Sequence, residues 1–232
     1  MDVSYVFEVI LKLLPYTLVT IQVVVFSFVI GCVLGGLLAW AKLGGNRAVS
    51  KIAYGYTTII RCTPFIIMLF IVFYGGPYLL TPFGIDANAI DKKVFAIITL
   101  SMYTTSNLSD NFRAAYASID KGQREAAICV GMTELQALFR IIIPQMVFVA
   151  LPMMSNVLIS EFQDTALAFS IGLVDLMGQG KVIDAITYNI NTLEIYVAVA
   201  LIFWILAIIC EKAIKQIHEY LGNKKKLNLS KG

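Results

Sequence analysis

Five stretches of this chain, at about 18–40, 58–80, 94–116, 141–160 and 193–210, are apolar over the length needed to cross a hydrocarbon layer. A bilayer core about 30 Å thick takes roughly 20 residues of helix. No water is present there to satisfy open backbone groups, so a spanning segment must close its own hydrogen bonds. Runs of this length do so as α-helices. The expected fold is an all-α integral membrane protein with about five transmembrane helices. Composition agrees, with 59% apolar and 14% charged residues, against about 25% charged in a soluble domain. The 232 residues read as one membrane domain: a core at 18–215, a polar loop at 117–142 and a basic tail at 222–232. Residues 5–15 are short and amphipathic and read as an interfacial helix ahead of the first span. The opening Met-Asp-Val lacks the basic stretch of a signal peptide.

Lys and Arg set the orientation, because they accumulate on the cytoplasmic side. With the N-terminus outside and the C-terminus cytoplasmic, Lys42, Arg47, Lys51, Lys121, Arg124, Arg140, Lys212, Lys215, Lys224, Lys225, Lys226 and Lys231 fall inside. Lys12, Lys92, Lys93 and Lys181 fall outside, and Arg61 and Arg113 lie in or near spans. The net charge of +3 is thus a topology signal and carries no nucleic-acid footprint. The Lys224–Lys226 run reads as a solvated tail near anionic headgroups of membrane lipid. Four cysteines, at 32, 62, 129 and 210, have neither metal-site nor disulfide spacing.

The loop at 117–142 is dense in helix signals. Asp120 with Gln123, and Thr133 with Gln136, have capping-box spacing. Lys121 and Glu125 stand one turn apart and can pair. Gly131 supplies a left-handed helix end. Two short helices joined at a glycine would make an L-shaped knob, and Ala126 and Ala127 would let a partner approach closely. A plain helical connector is the other reading.

Glu125-Ala126-Ala127, then Gly131, Ile141 and Ile143-Pro144, resembles the signature of the membrane-spanning subunits of bacterial ATP-binding-cassette (ABC) importers, with Ile in place of Leu before the proline. Arg61-Cys62-Thr63-Pro64, Asp110 with Arg113, and Gln163-Asp164-Thr165-Ala166-Leu167 are similar to motifs of the polar amino-acid permeases within that group. The run from Asp164 to Asp175 looks most like cystine-type members. The resemblance implies a type I importer fold in a bacterial cytoplasmic membrane. It also implies a second permease copy or a homologous permease, a dimer of ATPase subunits carrying ATP-Mg, and an extracytoplasmic solute-binding protein. Glu125, Ala126, Ala127 and Gly131 would then couple to the ATPase. This chain itself would hold no cofactor.

Polar residues inside the spans are costly in lipid and mark candidate sites. Asp110 and Arg113 share a helix face and read as a structural pair. Ser106 and Asn107 either line a cavity or bond between helices. Arg61, beside Thr63 and the helix-breaking Pro64, either meets a substrate carboxylate from a broken helix or snorkels and pairs with a neighbour. Gln163, Asp164 and Thr165 precede a segment at 167–172 too short to cross, which reads as re-entrant. Asp164 either faces a cavity, where it would hold a cationic group, or caps the following short helix. The candidate substrate residues are therefore Asp164, Thr165, Gln163, Arg61, Thr63, Ser106 and Asn107.

No phosphate-binding loop, His-Glu-x-x-His motif or Ser-His pairing is present in the sequence. The chain is expected to be no enzyme itself, but part of an ATP-hydrolysing complex. The leading function is the permease subunit of an ATP-driven importer of a polar amino acid, cystine or a basic amino acid. A gradient-driven carrier and a non-transporting membrane anchor are the alternatives.

Overall fold

A computed structural model of the chain describes residues 2–84, 86 and 89–229, with side chains through Asn223. The basic tail therefore lies largely outside the described side chains. Among the described residues nine α-helices follow in order: α1 (Val3–Leu43), α2 (Arg47–Cys62), α3 (Phe65–Leu80), α4 (Lys92–Ala117), α5 (Lys121–Cys129), α6 (Glu134–Ala137), α7 (Ile143–Thr165), α8 (Leu176–Ile186) and α9 (Thr192–Leu229). A π-turn, Leu138–Ile142, joins α6 to α7. The described residues thus form an all-α membrane fold.

Among the described residues, four helical stretches are both long and apolar enough to cross a bilayer: Val3–Leu43, Phe65–Phe83, Glu134–Thr165 and Thr192–Asn223. Helix α4 has 26 residues, about 39 Å at 1.5 Å per residue, but is too polar to pass the same test. It can be polar because it is enclosed. Thr99, Ser101, Thr104, Thr105, Ser106 and Ser109 are all buried, so α4 meets its neighbours rather than lipid. Helix α1 is the closest of these. A Cβ on Gly31 would overlap the Thr104 side chain, and one on Gly35 would sit 3.0 Å from the Leu108 Cβ. Gly31 and Gly35, four residues apart, therefore mark where α1 meets α4, because only glycine allows these backbones to approach so closely.

The expected interfacial helix at 5–15 is instead the continuous first part of α1, with Pro15 inside the helix. Its apolar stripe covers protein. Val6, Val9 and Leu13 are buried together with Leu176 and Ile183 of α8 and Ile195, Ala198 and Val199 of α9. The second expected span is really two helices. Pro64 has no N–H to continue α2, and Thr63 before it is extended at φ −95°, ψ 128°, as a residue preceding proline prefers. The re-entrant expectation at 167–172 corresponds to a short 3-10 turn, Ala168–Ile171, ended by Gly172 at φ 77°. Ala168 and Ile171 join a core with Val23, Phe65, Leu69, Phe95 and Leu100. This non-helical backbone is thus wrapped in protein, the condition under which it is tolerated at membrane depth.

Candidate functional site

Three helices border an open polar cavity of about 320 Å³. Arg61 from the end of α2, Asn107, Asp110 and Asn111 from α4, and Asn156 and Ser160 from α7 supply its polar wall. The break at Pro64 places Arg61 there by ending α2 beside α4. Two phenol groups sew the helices together. Tyr103 of α4 donates to the Thr63 carbonyl that the break leaves open, and Tyr56 of α2 donates to the Met102 carbonyl at 3.2 Å.

Asp110 organises the charge in this wall, but Arg113 is not its partner. One Asp110 oxygen accepts from Lys42 at 2.7 Å and the other from Arg61 at 2.6 Å. Arg113 has a buried Nε without a hydrogen-bond partner. The intrahelical pairing expected from the three-residue spacing loses to two cations brought from other helices. The Lys42 side chain is fully buried, donates to Ser109 at 2.9 Å and lies 5.2 Å from the Tyr54 ring centroid. Arg61 stays more than half exposed, so of the two cations it is the one open to solvent.

The other candidate residues spread along the wall. Ser106 is buried and donates to the Thr57 carbonyl at 3.3 Å, which ties α4 to α2. Thr63 donates its hydroxyl to Ile59 at 2.8 Å, and Thr165 to Phe162 at 2.7 Å; both satisfy their own helices. Gln163 is exposed. Asp164 is half-buried on the last turn of α7, one turn beyond Ser160. It does not cap the following short helix, whose N-cap is Leu167 with no side-chain hydrogen bond. Arg61 and Asn107 therefore share the cavity, and Asp164 stands past its end.

The polar loop folds as a knob at the end of the bundle where α1 and α4 terminate. Asp120 caps α5 through Gly122 N–H at 2.7 Å, without the expected contribution from Gln123. The second capping box forms in full between Thr133 and Gln136. Gly131, at φ 88°, ends α5 with Gly131 N–H on Ile128 O and Met132 N–H on Ala127 O, the Schellman pattern. The surface ion pair is Arg124–Glu134 rather than Lys121–Glu125. The Arg124 fork reaches across the glycine corner and donates twice to Glu134, at 2.8 and 2.7 Å. That pairing holds the Glu134 carboxyl below its usual range and raises Arg124. Ala127 is buried and Ala126 exposed, so of the two alanines only Ala126 is open to solvent. Around it Val130, Leu135 and Phe139 are 75%, 68% and 64% exposed, an apolar surface that a soluble partner can cover.

Residues 27–218 match the family described as "binding-protein-dependent transport system inner membrane component". This chain belongs to that family. It is a multi-pass permease subunit of the ABC importer group, and its knob is the Glu-Ala-Ala element. The permease is 36% identical over 210 residues to the L-cystine transport system permease protein TcyL of Bacillus subtilis (strain 168), covering 90% of this chain and 87% of that one. It is 34% identical over 191 residues to the arginine transport system permease protein ArtQ of the same organism, covering 82% and 84%. A crystal structure of an amino acid ABC transporter with histidines matches it at a TM-score of 0.81 and 24% identity, over 95% of this chain and 99% of that one. That likeness fixes the fold.

Sequence reasoning missed four parts of the permease interior. Lys42 reads in sequence as one more cytoplasmic cation, yet it anchors Asp110. Asn156 and Ser160 precede Asp164 at four-residue intervals, and that helical stripe was the signal that could have found them. Glu161 is 3% exposed, and one oxygen accepts from the Thr104 hydroxyl while the other has no partner. Asp175 is fully buried, where it caps α8 through Gly178 at 2.9 Å and accepts from Thr20 of α1 at 3.3 Å.

Proposed function

We propose that this permease forms half of the translocation path of an ATP-driven importer for a polar amino acid, with cystine the first solute to test and a basic amino acid the second. The polar cavity held open between α2, α4 and α7 carries this reading, because asparagines, a serine and an ion pair inside an apolar bundle are retained where a polar solute must pass. Cystine leads because one similar relative is named for L-cystine transport, and basic amino acids follow because another is named for arginine.

Arg61 is the arm that meets the solute carboxylate, exchanging Asp110 for it in a charge-assisted pair. Asn107 lines the cavity with it, while Ser106, Thr63 and Tyr103 lie outside that lining, where the Ser106 and Tyr103 hydroxyls tie α4 to the end of α2. Asp164, flanked by Gln163 and Thr165, meets the cationic group as the solute enters or leaves the cavity. The N-terminus faces outward and the knob faces the cytoplasm, following the twelve-to-four bias of Lys and Arg. Glu125, Ala126 and Gly131 dock on an ATPase dimer that binds ATP-Mg, with Ala127 packed beneath them, while a solute-binding protein delivers cargo on the other side. A second permease, identical or homologous, supplies the facing half of the path.

Proteoliposomes containing the permease, its ATPase and its binding protein test this. Uptake of labelled cystine is expected to require internal ATP and to persist when ion gradients are collapsed. Uptake that follows an ion gradient without ATP would instead make the chain a carrier, and none under either condition an anchor.

A further inference from the structure

The charges at the polar cavity do not balance. Asp110 brings one negative charge, while Lys42 behind the wall and Arg61 within it each bring a positive one, on opposite oxygens of the same carboxylate. The other lining residues, Asn107, Asn111, Met153, Asn156, Val157 and Ser160, are all uncharged. The cluster therefore keeps one positive charge that nothing in the lining offsets. A cleft charged in this way favours an anionic group.

The two cations are held differently. Lys42 lies in the last turn of α1 with its side chain fully buried. Its ammonium is fixed by Asp110 at 2.7 Å, by Ser109 at 2.9 Å and by the Tyr54 ring. Leaving those contacts would strand a charge in a dry site. Arg61 reaches Asp110 through one terminal nitrogen only, although a guanidinium and a carboxylate can pair through two parallel hydrogen bonds. The oxygen that a second prong would need is the one that Lys42 occupies. Two like charges on one carboxylate also repel each other.

We propose that Lys42 is a positioning residue for solute recognition: it holds one oxygen of Asp110 and repels Arg61, which keeps the Arg61 guanidinium exchangeable to a solute carboxylate. This role rests on the reading that Arg61 meets that carboxylate. When Arg61 changes partner, Lys42 stays behind to neutralise Asp110, so the wall is not left with a bare anion. The solute carboxylate then cancels the positive charge in excess. A solute without a carboxylate leaves it standing and gains nothing from Arg61.

Lys42→Met tests this, because methionine keeps an unbranched stem in the buried slot and removes the charge. Ser109 retains its bond to the Ser106 carbonyl at 2.8 Å, and Asp110 retains Arg61. The importer complex in lipid nanodiscs is treated with phenylglyoxal, which attacks free guanidinium groups, and the rate at Arg61 is read by peptide mass spectrometry. Without solute, that rate is expected to fall about tenfold in Lys42→Met, the scale of one like-charge contact near a protein surface. Lys42→Met combined with Asp110→Asn removes the carboxylate as well, and Arg61 is then expected to react at least as fast as in the unaltered complex. An unchanged rate in Lys42→Met would overturn the proposal. A double variant as slow as Lys42→Met would overturn it too, because the lysine would then act through packing alone. In the unaltered complex, cystine or arginine is expected to protect Arg61, while cystamine and agmatine, the same molecules without their carboxylates, are not. Protection by neither amino acid would overturn the reading of Arg61 itself, and this proposal with it, whereas intact protection with an unchanged Lys42→Met rate would remove only the role of Lys42.

Discussion

Asp164 and Gly131 show what a single residue contributes here, and by opposite means. Asp164 acts through charge. Its cap role is removed by the structure, since Leu167 starts the following turn unaided. If it meets a cationic solute group, Asp164→Asn keeps the shape and removes the attraction. Leaving a buried charge without its partner costs about 3–5 kcal/mol, so solute uptake should fall more than tenfold while the ATPase and binding protein still assemble. Unchanged uptake by this variant would show that Asp164 lies off the path. Gly131 acts through backbone freedom. At φ 88° it holds a conformation that costs an L-residue roughly 1–2 kcal/mol, and a β-branched one more. Gly131→Val should therefore misplace α6 relative to α5. Solute-stimulated ATP hydrolysis is expected to collapse while membrane insertion continues, and a variant that transports at the unaltered rate would refute the coupling role. Gly131 was legible in the sequence because helix-ending glycines have a fixed local geometry. The partner of Asp110 was not, because Lys42 lies 68 residues away and the choice between it and Arg113 is made by packing.

At the scale of elements, the sequence reads well wherever a signal is local. The caps at Asp120 and Thr133, the break at Pro64 and the glycine contact of α1 all follow from residues a few positions apart. The amphipathic stretch at 5–15 was misplaced for the complementary reason. Its periodicity shows that one face must be covered but not by what, and α8 and α9 cover it where lipid headgroups were expected. The knob has one interaction that joins its two arms, the bidentate Arg124–Glu134 pair. Because the carboxyl pKa of Glu134 is lowered in the folded protein, its stabilising effect is present above the unfolded value of about 4.3 and is lost as pH falls through the folded one. Amide-exchange protection of α5 and α6 should accordingly be flat from pH 7 to about pH 5 and weaken below about pH 4. Glu134→Gln should show no such acid limb. An identical limb in that variant would mean that another carboxylate governs the knob. The pair is exposed, so the change in protection is expected to be small.

For the whole molecule, the central question is which way the bundle faces. Single cysteines at 84–92 and 179–190 are expected to react with an impermeant reagent added outside, and those at 44–50 and 120–138 only after permeabilisation. The reversed pattern would invert the orientation and detach the knob from any cytoplasmic ATPase. Four of the five apolar runs read in the sequence coincide with long apolar helices; the fifth, at 94–116, is α4, whose serines and threonines make sense only once α1, α3 and α7 surround it. That enclosure has a consequence for how the chain is made. A helix that fails the apolarity test has little reason to leave the translocon sideways into lipid on its own. Helix α1, synthesised earlier and carrying Gly31 and Gly35 as a ready groove, offers α4 a protein surface to enter instead. On this reasoning, integration of the fourth helix is expected to depend on docking to α1, so bulky residues at Gly31 and Gly35 should lower the fraction of nascent chains in which α4 inserts, measured by glycosylation mapping.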